Sequence, residues 1–269
     1  MNWRAIFAIV HRDLRLVARA RAVMLPLIVV PVIIFVAFPV GAVLGIRAGG
    51  EVLEELAPLI EMLPRAVARS LGGGSLERQM LVYVLEYQFA TFFLIVPLMV
   101  CAVIAADSFA GEKERKTLEA LLYTPTSDRE LYVAKLLGPW LAAIAISLLS
   151  FALYAVVVNV LAAALVGRPV ALTPLWLLTL VWLGPAVGAL AISILVVVSA
   201  RVRGFQEAYQ LGGVIVLPVV GLVVAQLVGA IFLDARFAAV LGAIVWLIAG
   251  TILFVASRGF RRERLLRQV

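Results

Sequence analysis

The 269-residue chain is 64% hydrophobic and only 14% charged, with a mean hydropathy of +1.11. A soluble protein of this length could not bury so much apolar surface, so the composition indicates an integral membrane protein. Lys and Arg outnumber Asp and Glu by 23 to 16. In a membrane protein such an excess is typical of loops and of contacts with anionic lipid, and no nucleic-acid partner is expected.

The first segment, residues 1–21, predicts an amphipathic helix. Its apolar residues recur at steps of three and four, which is the spacing of one helical stripe. These residues are Trp3, Phe7, Val10, Leu14 and Val17. Arginines lie largely on the other side, which favours a helix lying in the membrane interface. A helix in the cytosol packed on a partner is the alternative.

Six apolar segments follow, each near the length of about 20 residues that crosses a bilayer as a helix. They cover residues 23–46, 82–106, 136–166, 175–198, 211–233 and 237–256. We therefore expect one all-α membrane domain, with an external loop at 47–79 and a basic tail at 257–269.

The positive charges predict the orientation of the spans. Of the 23 Lys and Arg residues, 17 lie in the N-terminal segment, the 107–135 loop, the 200–210 loop and the tail. Basic residues accumulate in cytoplasmic loops, so both termini are predicted to be cytoplasmic. An even number of crossings requires the same arrangement.

The predicted spans carry few polar residues. Asn159 and Gln226 are the main ones and are candidates for lining a pathway. Ion and proton pathways usually contain carboxylates, histidines or arginines within the membrane. Their scarcity disfavours a proton-coupled pump and a secondary carrier, which would also need repeat-related broken helices.

The 107–135 loop is the one long segment rich in both signs of charge. Glu112 with Lys116, and Arg115 with Glu119, are oppositely charged pairs four residues apart, which support a water-exposed helix. An apolar edge of three leucines on the same helix suits docking onto another protein. These are Leu118, Leu121 and Leu122.

A sharp turn is predicted after this helix. The residue before Pro125 resists helical dihedral angles, so the helix should end there. Ser127 and Glu130 then have the spacing of a capping box, which predicts the start of the helix that becomes the third span.

The stretch A-D-S-F-A-G-E-K-E-R-K-T-L-E-A-L-L-Y-T-P-T-S-D-R-E-L, residues 106–131, resembles the permease subunits of type-2 ATP-binding-cassette exporters. Their usual pattern is G-E-R-E-R-G-T-L-E-x-L-L-x-x-P followed by a small-polar turn. Lys113 and Lys116 stand where the family has arginine and glycine. The amphipathic start, the six spans and the loop at 201–210 extend the similarity over the whole chain.

The resemblance implies a coupling helix between spans 2 and 3 that seats in an ATPase subunit, and an elbow helix at 1–21. The residues carried over for ATPase coupling are Glu112, Glu114, Arg115, Thr117, Leu118, Glu119, Leu121, Leu122, Pro125, Ser127 and Asp128. It also implies two ATPase subunits that bind ATP and magnesium, and a second permease copy, identical or closely related. The location implied is a bacterial or archaeal cell (inner) membrane.

We expect no catalytic, cofactor or metal site in this chain, since it lacks a G-x-x-x-x-G-K-[ST] motif for ATP. The apolar spans favour export of a hydrophobic or amphipathic substrate such as a drug, a lipid or a peptide. Sodium efflux is one alternative. A membrane anchoring or assembly subunit, whose cytoplasmic hairpin docks a partner that is not an ATPase, is the other.

Overall fold

The computed structural model describes residues 2–49, 58, 60, 63, 68–69, 71–72, 74–111, 114, 127–199, 202 and 204–259. Within these ranges the chain is helical and contains no strand. The predicted all-α class is therefore confirmed.

One short helix precedes six helices that are long and apolar enough to cross a membrane. The short helix, α1, spans Trp3–Arg19. The six are α2 (Val23–Ala48), α3 (Leu76–Gly111), α4 (Asp128–Val166), α5 (Pro174–Ser199), α6 (Gln206–Leu227) and α7 (Ala235–Arg258). The six predicted spans are confirmed in number. Helix α3 is longer than predicted at both ends, since it covers 76–111 instead of 82–106, and two further spans have an end that differs by more than two residues.

The first of these two spans is α4. It begins at Asp128, directly after the predicted cap and eight residues before the predicted span, and its 39 residues give a length of about 58 Å at 1.5 Å per residue. The hydrocarbon core of a bilayer is only about 30 Å thick. Part of α4 must therefore project beyond the bilayer core.

The other difference is at α6, which ends at Leu227 rather than at 233. Gly229 adopts a left-handed φ of 73°, and the N–H of Ala230 donates back to the carbonyl of Ala225 at 2.8 Å. This arrangement terminates a helix, and glycine adopts it without a steric penalty.

The central helix of the bundle is α3. Of its most apolar 18-residue window, 83% is buried, followed by 61% for α5, whereas the values for the other four spans are 17–33%. Helix α3 packs against α4 and α5, and α5 packs against α7. The outer four helices therefore present apolar faces to the surroundings, as expected in lipid.

An aromatic cluster joins α2, α3, α4 and α5. Tyr154 of α4 lies with its ring 4.8 Å from that of Trp176 and 5.8 Å from that of Phe35, and Phe93 packs on both Phe35 and Trp176. The Tyr154 hydroxyl donates to the carbonyl of Leu85 at 2.5 Å. That carbonyl lies in a π-helical turn of α3, where the regular backbone pattern is interrupted.

Candidate coupling site at the base of the bundle

Helix α1 packs on the first turns of α4, at the end of the bundle that we call the base; the opposite end, around Gly167, is the top. Ile6 and Val10 of α1 are buried against Ala134 of α4. Helix α3 ends at the same level, with a π-helical turn at Asp107–Gly111. The base therefore brings together the two helices that flank residues 112–126.

A buried ion pair lies between these helices. The Lys135 ammonium donates to Asp13 Oδ2 at 2.9 Å, and the two side chains are 2% and 5% exposed. The same ammonium donates to the Ser108 carbonyl of α3 at 3.2 Å. The exposed side chain of Arg12 contacts the other oxygen of Asp13 at 2.9 Å. One lysine thus connects α1, α3 and α4.

The predicted capping box at the start of α4 is confirmed. Ser127 Oγ accepts from the Glu130 N–H at 3.3 Å, and Glu130 Oε2 accepts from the Ser127 N–H at 2.9 Å. The other Glu130 oxygen accepts from the Asn2 N–H at 2.6 Å. The start of α1 is therefore attached to the start of α4, at the point where the chain returns from 112–126.

The two loops at the base also meet. A Cβ added to Gly204, which precedes α6, would lie 2.8 Å from Glu114 Oε2. A side chain at position 204 would therefore require the Glu114 carboxylate to shift. The structure thus places Glu114 of the 112–126 segment against the second loop of the base.

Most of the residues predicted for ATPase coupling lie outside the described residues. These are Glu112, Arg115, Thr117, Leu118, Glu119, Leu121, Leu122 and Pro125. Glu114, Ser127 and Asp128 are described, and all three lie at the base. Their role in coupling stays a prediction.

The predicted stripe of α1 divides between two faces. Val10 and Val17 are buried, together with Ile6 and Asp13, and Leu14 is half-buried. Trp3 and Phe7 are exposed and pack on each other, with ring centroids 6.3 Å apart. An exposed aromatic pair on such a helix is consistent with the predicted membrane interface.

The two candidates for a pathway differ in their hydrogen bonding. Asn159 donates to the Ala155 carbonyl at 2.7 Å and accepts from the Val170 N–H at 2.9 Å, which ties α4 to the loop at the top. Gln226 is fully buried; its Oε1 accepts from Thr91 at 2.6 Å, and its Nε2 has no partner among the described residues. Pathway lining by either residue stays a prediction.

A second ion pair lies at the top. The guanidinium of Arg168 contacts both oxygens of Glu86, at 2.5 and 2.9 Å. The carboxylate is 4% exposed and the arginine 41%. The hydrogen bond that Arg168 donates to Glu86 raises the pKa of Arg168 above its ordinary value, so this side chain stays charged over the whole physiological range.

An apolar cavity of about 600 Å³ lies between α3, α5, α6 and α7. Every side chain that lines it is apolar, including Leu98, Leu190, Pro218 and Leu241. Its volume is in the range typical of small-molecule sites, about 300–1,000 Å³. Among the residues that the structure describes, no three His, Cys, Asp or Glu side chains converge as a metal site would require.

Sequence reasoning did not assign a role to Asp13 or Lys135. A signal for Asp13 is present, since it lies at helical spacing between Val10 and Val17 and thus on the buried line of α1. A charged residue on such a line needs a buried partner. The identity of that partner is not local information, because Lys135 is 122 residues away.

The comparisons with known proteins bear on the whole chain. A family model described as ABC-2 family transporter protein matches residues 7–256. No curated protein matches the chain. The family match begins within α1 and ends within α7, so it includes the base, the top and all six spans.

Proposed function

The chain belongs to the ABC-2 family of transporter proteins, and on that premise we propose that it is the permease of an exporter of hydrophobic or amphipathic molecules. As a member of this family it is a multi-pass membrane transport subunit that works with an ATPase partner, and it is not itself the ATPase. The substrate class is a drug, a lipid or a peptide, moved outward at the expense of ATP.

The observation that carries the proposal is the construction of the base. Helices α3 and α4 deliver residues 112–126 from two anchored ends, and Lys135 and Glu130 connect those ends to α1. A segment whose two ends are bonded to neighbouring helices can transmit a displacement to them. A segment connected by its peptide backbone alone would move without displacing the other helices. In this proposal the base is cytoplasmic, 112–126 seats in the ATPase, and α1 is the elbow helix.

The complex contains two ATPase subunits, which bind ATP and magnesium, and two permease copies in the cell (inner) membrane. ATP closes the ATPase pair and favours the outward-open state of the permease, which acts as a two-state element biased by its partner. The all-apolar cavity between α3, α5, α6 and α7 supports a substrate with a large hydrophobic part.

The test is the ATPase rate of the cognate subunit in lipid nanodiscs, with and without this chain. We expect the chain to change the rate, and Glu112→Lys with Glu119→Lys to abolish that change while the complex still assembles. Glu51→Lys with Glu54→Lys is the matched control, since it makes the same charge change in the loop predicted to be external. If no ATPase subunit associates, the chain is instead an anchoring or assembly subunit.

A second measurement separates the substrate classes. The ATPase rate of the reconstituted complex is compared in sodium and potassium salts of equal ionic strength, and then with added lipophilic dyes. Stimulation by the dyes supports export of hydrophobic molecules. A sodium-specific increase would instead support the sodium-efflux alternative.

A further inference from the structure

The inference concerns the buried ammonium of Lys135, which touches three helices at once. It donates to the carboxylate of Asp13 on α1 and to the carbonyl of Ser108 on α3, while its own backbone belongs to α4. The Ser108 carbonyl lies in the π-helical turn that ends α3. Lys135 therefore makes both hydrogen bonds at the base, where α3 ends and α4 begins.

A buried charge constrains geometry more than apolar packing does. Helix α1 could slide along α4 by a fraction of a turn and still bury the same apolar area of Ile6, Val10 and Ala134, because hydrophobic contact is not directional. Moving the ammonium of Lys135 away from Asp13 separates two opposite charges that are both buried away from water. The ion pair therefore fixes the register of α1 on α4.

The second hydrogen bond of Lys135 extends this constraint to α3. Because one ammonium serves both Asp13 and Ser108, a shift of either partner alone costs one of its hydrogen bonds. The three helix ends are thus favoured to move together.

We infer that Lys135 is a positioning residue that locks α1 and the ends of α3 and α4 into one rigid unit, so that a displacement of 112–126 reaches α1. The inference rests on the proposed function, since it names the contact through which the ATPase partner acts on the elbow helix. Asp13 is the second half of the lock. Arg12, which contacts the same carboxylate from the exposed side, lies outside it.

The experiment is hydrogen–deuterium exchange on the full chain with its ATPase subunit in nanodiscs, before and after trapping with ATP and vanadate. Three variants are compared with the wild type: Lys135→Met, Asp13→Asn and, as the matched control, Arg12→Gln. The control removes an ion pair of the same length from the same carboxylate, but at an exposed position. The ATPase rate is measured on the same samples.

In the wild type, trapping should change the exchange of residues 3–19 and of 107–111 together. Lys135→Met should abolish the change in 3–19, make those amides exchange at least about tenfold faster without nucleotide, and leave the ATPase subunit bound. Asp13→Asn keeps the volume of the side chain and leaves the hydrogen bond from Lys135 to Ser108 in place. This variant should lose part of the nucleotide response of residues 3–19, and it provides the test even if Lys135→Met does not fold. Arg12→Gln should behave as the wild type.

Two results would overturn the inference, and they are distinguishable. If the variants exchange faster but keep the nucleotide response of residues 3–19 within about twofold of the wild type, the ion pair is structural only and the proposed function stands. If the wild-type chain neither retains the ATPase subunit nor alters its rate, the proposed function is wrong, and the inference is wrong with it.

Discussion

The base and the top of the bundle each contain a buried carboxylate paired with a cation, and the two pairs are built differently. At the base both Asp13 and Lys135 are almost fully buried, and the cation also donates to a carbonyl of a third helix. At the top only Glu86 is buried, while Arg168 lies on a short loop and is 41% exposed. The base pair therefore joins three helices, whereas the top pair attaches a loop to α3.

This difference between the two ion pairs indicates that a displacement can be transmitted between helices at the base, whereas at the top it can be taken up by a change in the loop. A fully desolvated pair has no water to replace a lost partner, so its helices are favoured to move as one body. When the carboxylate moves away, an exposed arginine can be solvated by water, and the loop that carries it can change its conformation. We therefore expect the base to be stiff and the top to be adaptable.

The largest expected effect is that of Lys135→Ala, which leaves the Asp13 carboxylate buried beside only the exposed Arg12. Removing one partner of a buried ion pair costs about 3–5 kcal/mol. The free energy of unfolding, measured by titration of micellar protein with SDS, should fall by that amount. Arg12→Ala is the control and should cost less than about 1 kcal/mol, because the Arg12 side chain is 41% exposed and Lys135 still compensates the Asp13 carboxylate. Equal losses for the two variants would mean that the base pair is not desolvated as the structure indicates.

The next effect tests the asymmetry of the top pair. Arg168→Ala leaves a buried carboxylate without its cation, whereas Glu86→Gln leaves a half-exposed arginine that water can solvate. We expect a loss of about 2–3 kcal/mol for the first and about 1 kcal/mol for the second. The same SDS titration measures both. If Glu86→Gln is the more costly change, the top pair resembles the base pair and the contrast between the two ends is wrong.

Local patterns in the sequence predicted much of this architecture. The six spans follow from apolar length, and the start of α4 follows from the spacing of Ser127 and Glu130, because each is decided by neighbouring residues. The orientation of the spans depends on the surrounding membrane rather than on contacts within the bundle, so it stays a prediction. The termination of α6 had a local signal in Gly229, which the apolar run obscured.

Contacts between distant residues could not be predicted in the same way. Lys135 belongs to a stretch with charges of both signs, and only the folded bundle shows that Asp13, which lies 122 residues away, is a partner. The π-helical turns of α3 are a similar case. The carbonyl of Leu85 finds its donor in Tyr154, which lies 69 residues further along the chain.

A smaller effect tests how rigidly the base and the top are joined through the middle of the bundle. A Cβ at Gly188 of α5 would lie 2.9 Å from Cys101 Sγ of α3, whereas a Cβ at Gly221 of α6 would meet nothing within 4 Å. Gly188→Ala should therefore cost about 1–2 kcal/mol through overpacking. Gly221→Ala should be neutral or stabilising by up to about 1 kcal/mol, since alanine is the better helix former.

A matched double variant sharpens this test. If the cost of Gly188→Ala arises from the thiol, Cys101→Ala should reverse most of it when the two are combined, because the smaller side chain removes the close approach. Additive losses would instead mean that the backbones of α3 and α5 themselves are forced apart.

The smallest effect concerns Asn159, where a structural role at the top competes with pathway lining. Asn159→Ala removes the acceptor of the Val170 N–H, a partly buried hydrogen bond to the loop at the top. The free energy of unfolding should fall by about 1 kcal/mol. Asn159→Leu keeps about the same volume but has no acceptor and should lose as much stability, so the two variants together separate the hydrogen bond from the side chain's volume. A residue that only fixes the loop affects unfolding and leaves the substrate dependence of the ATPase rate unchanged. If either variant changes the substrate dependence of the ATPase rate while its free energy of unfolding stays within about 0.5 kcal/mol of the wild type, Asn159 lines the pathway. The top would then take part in transport as directly as the base.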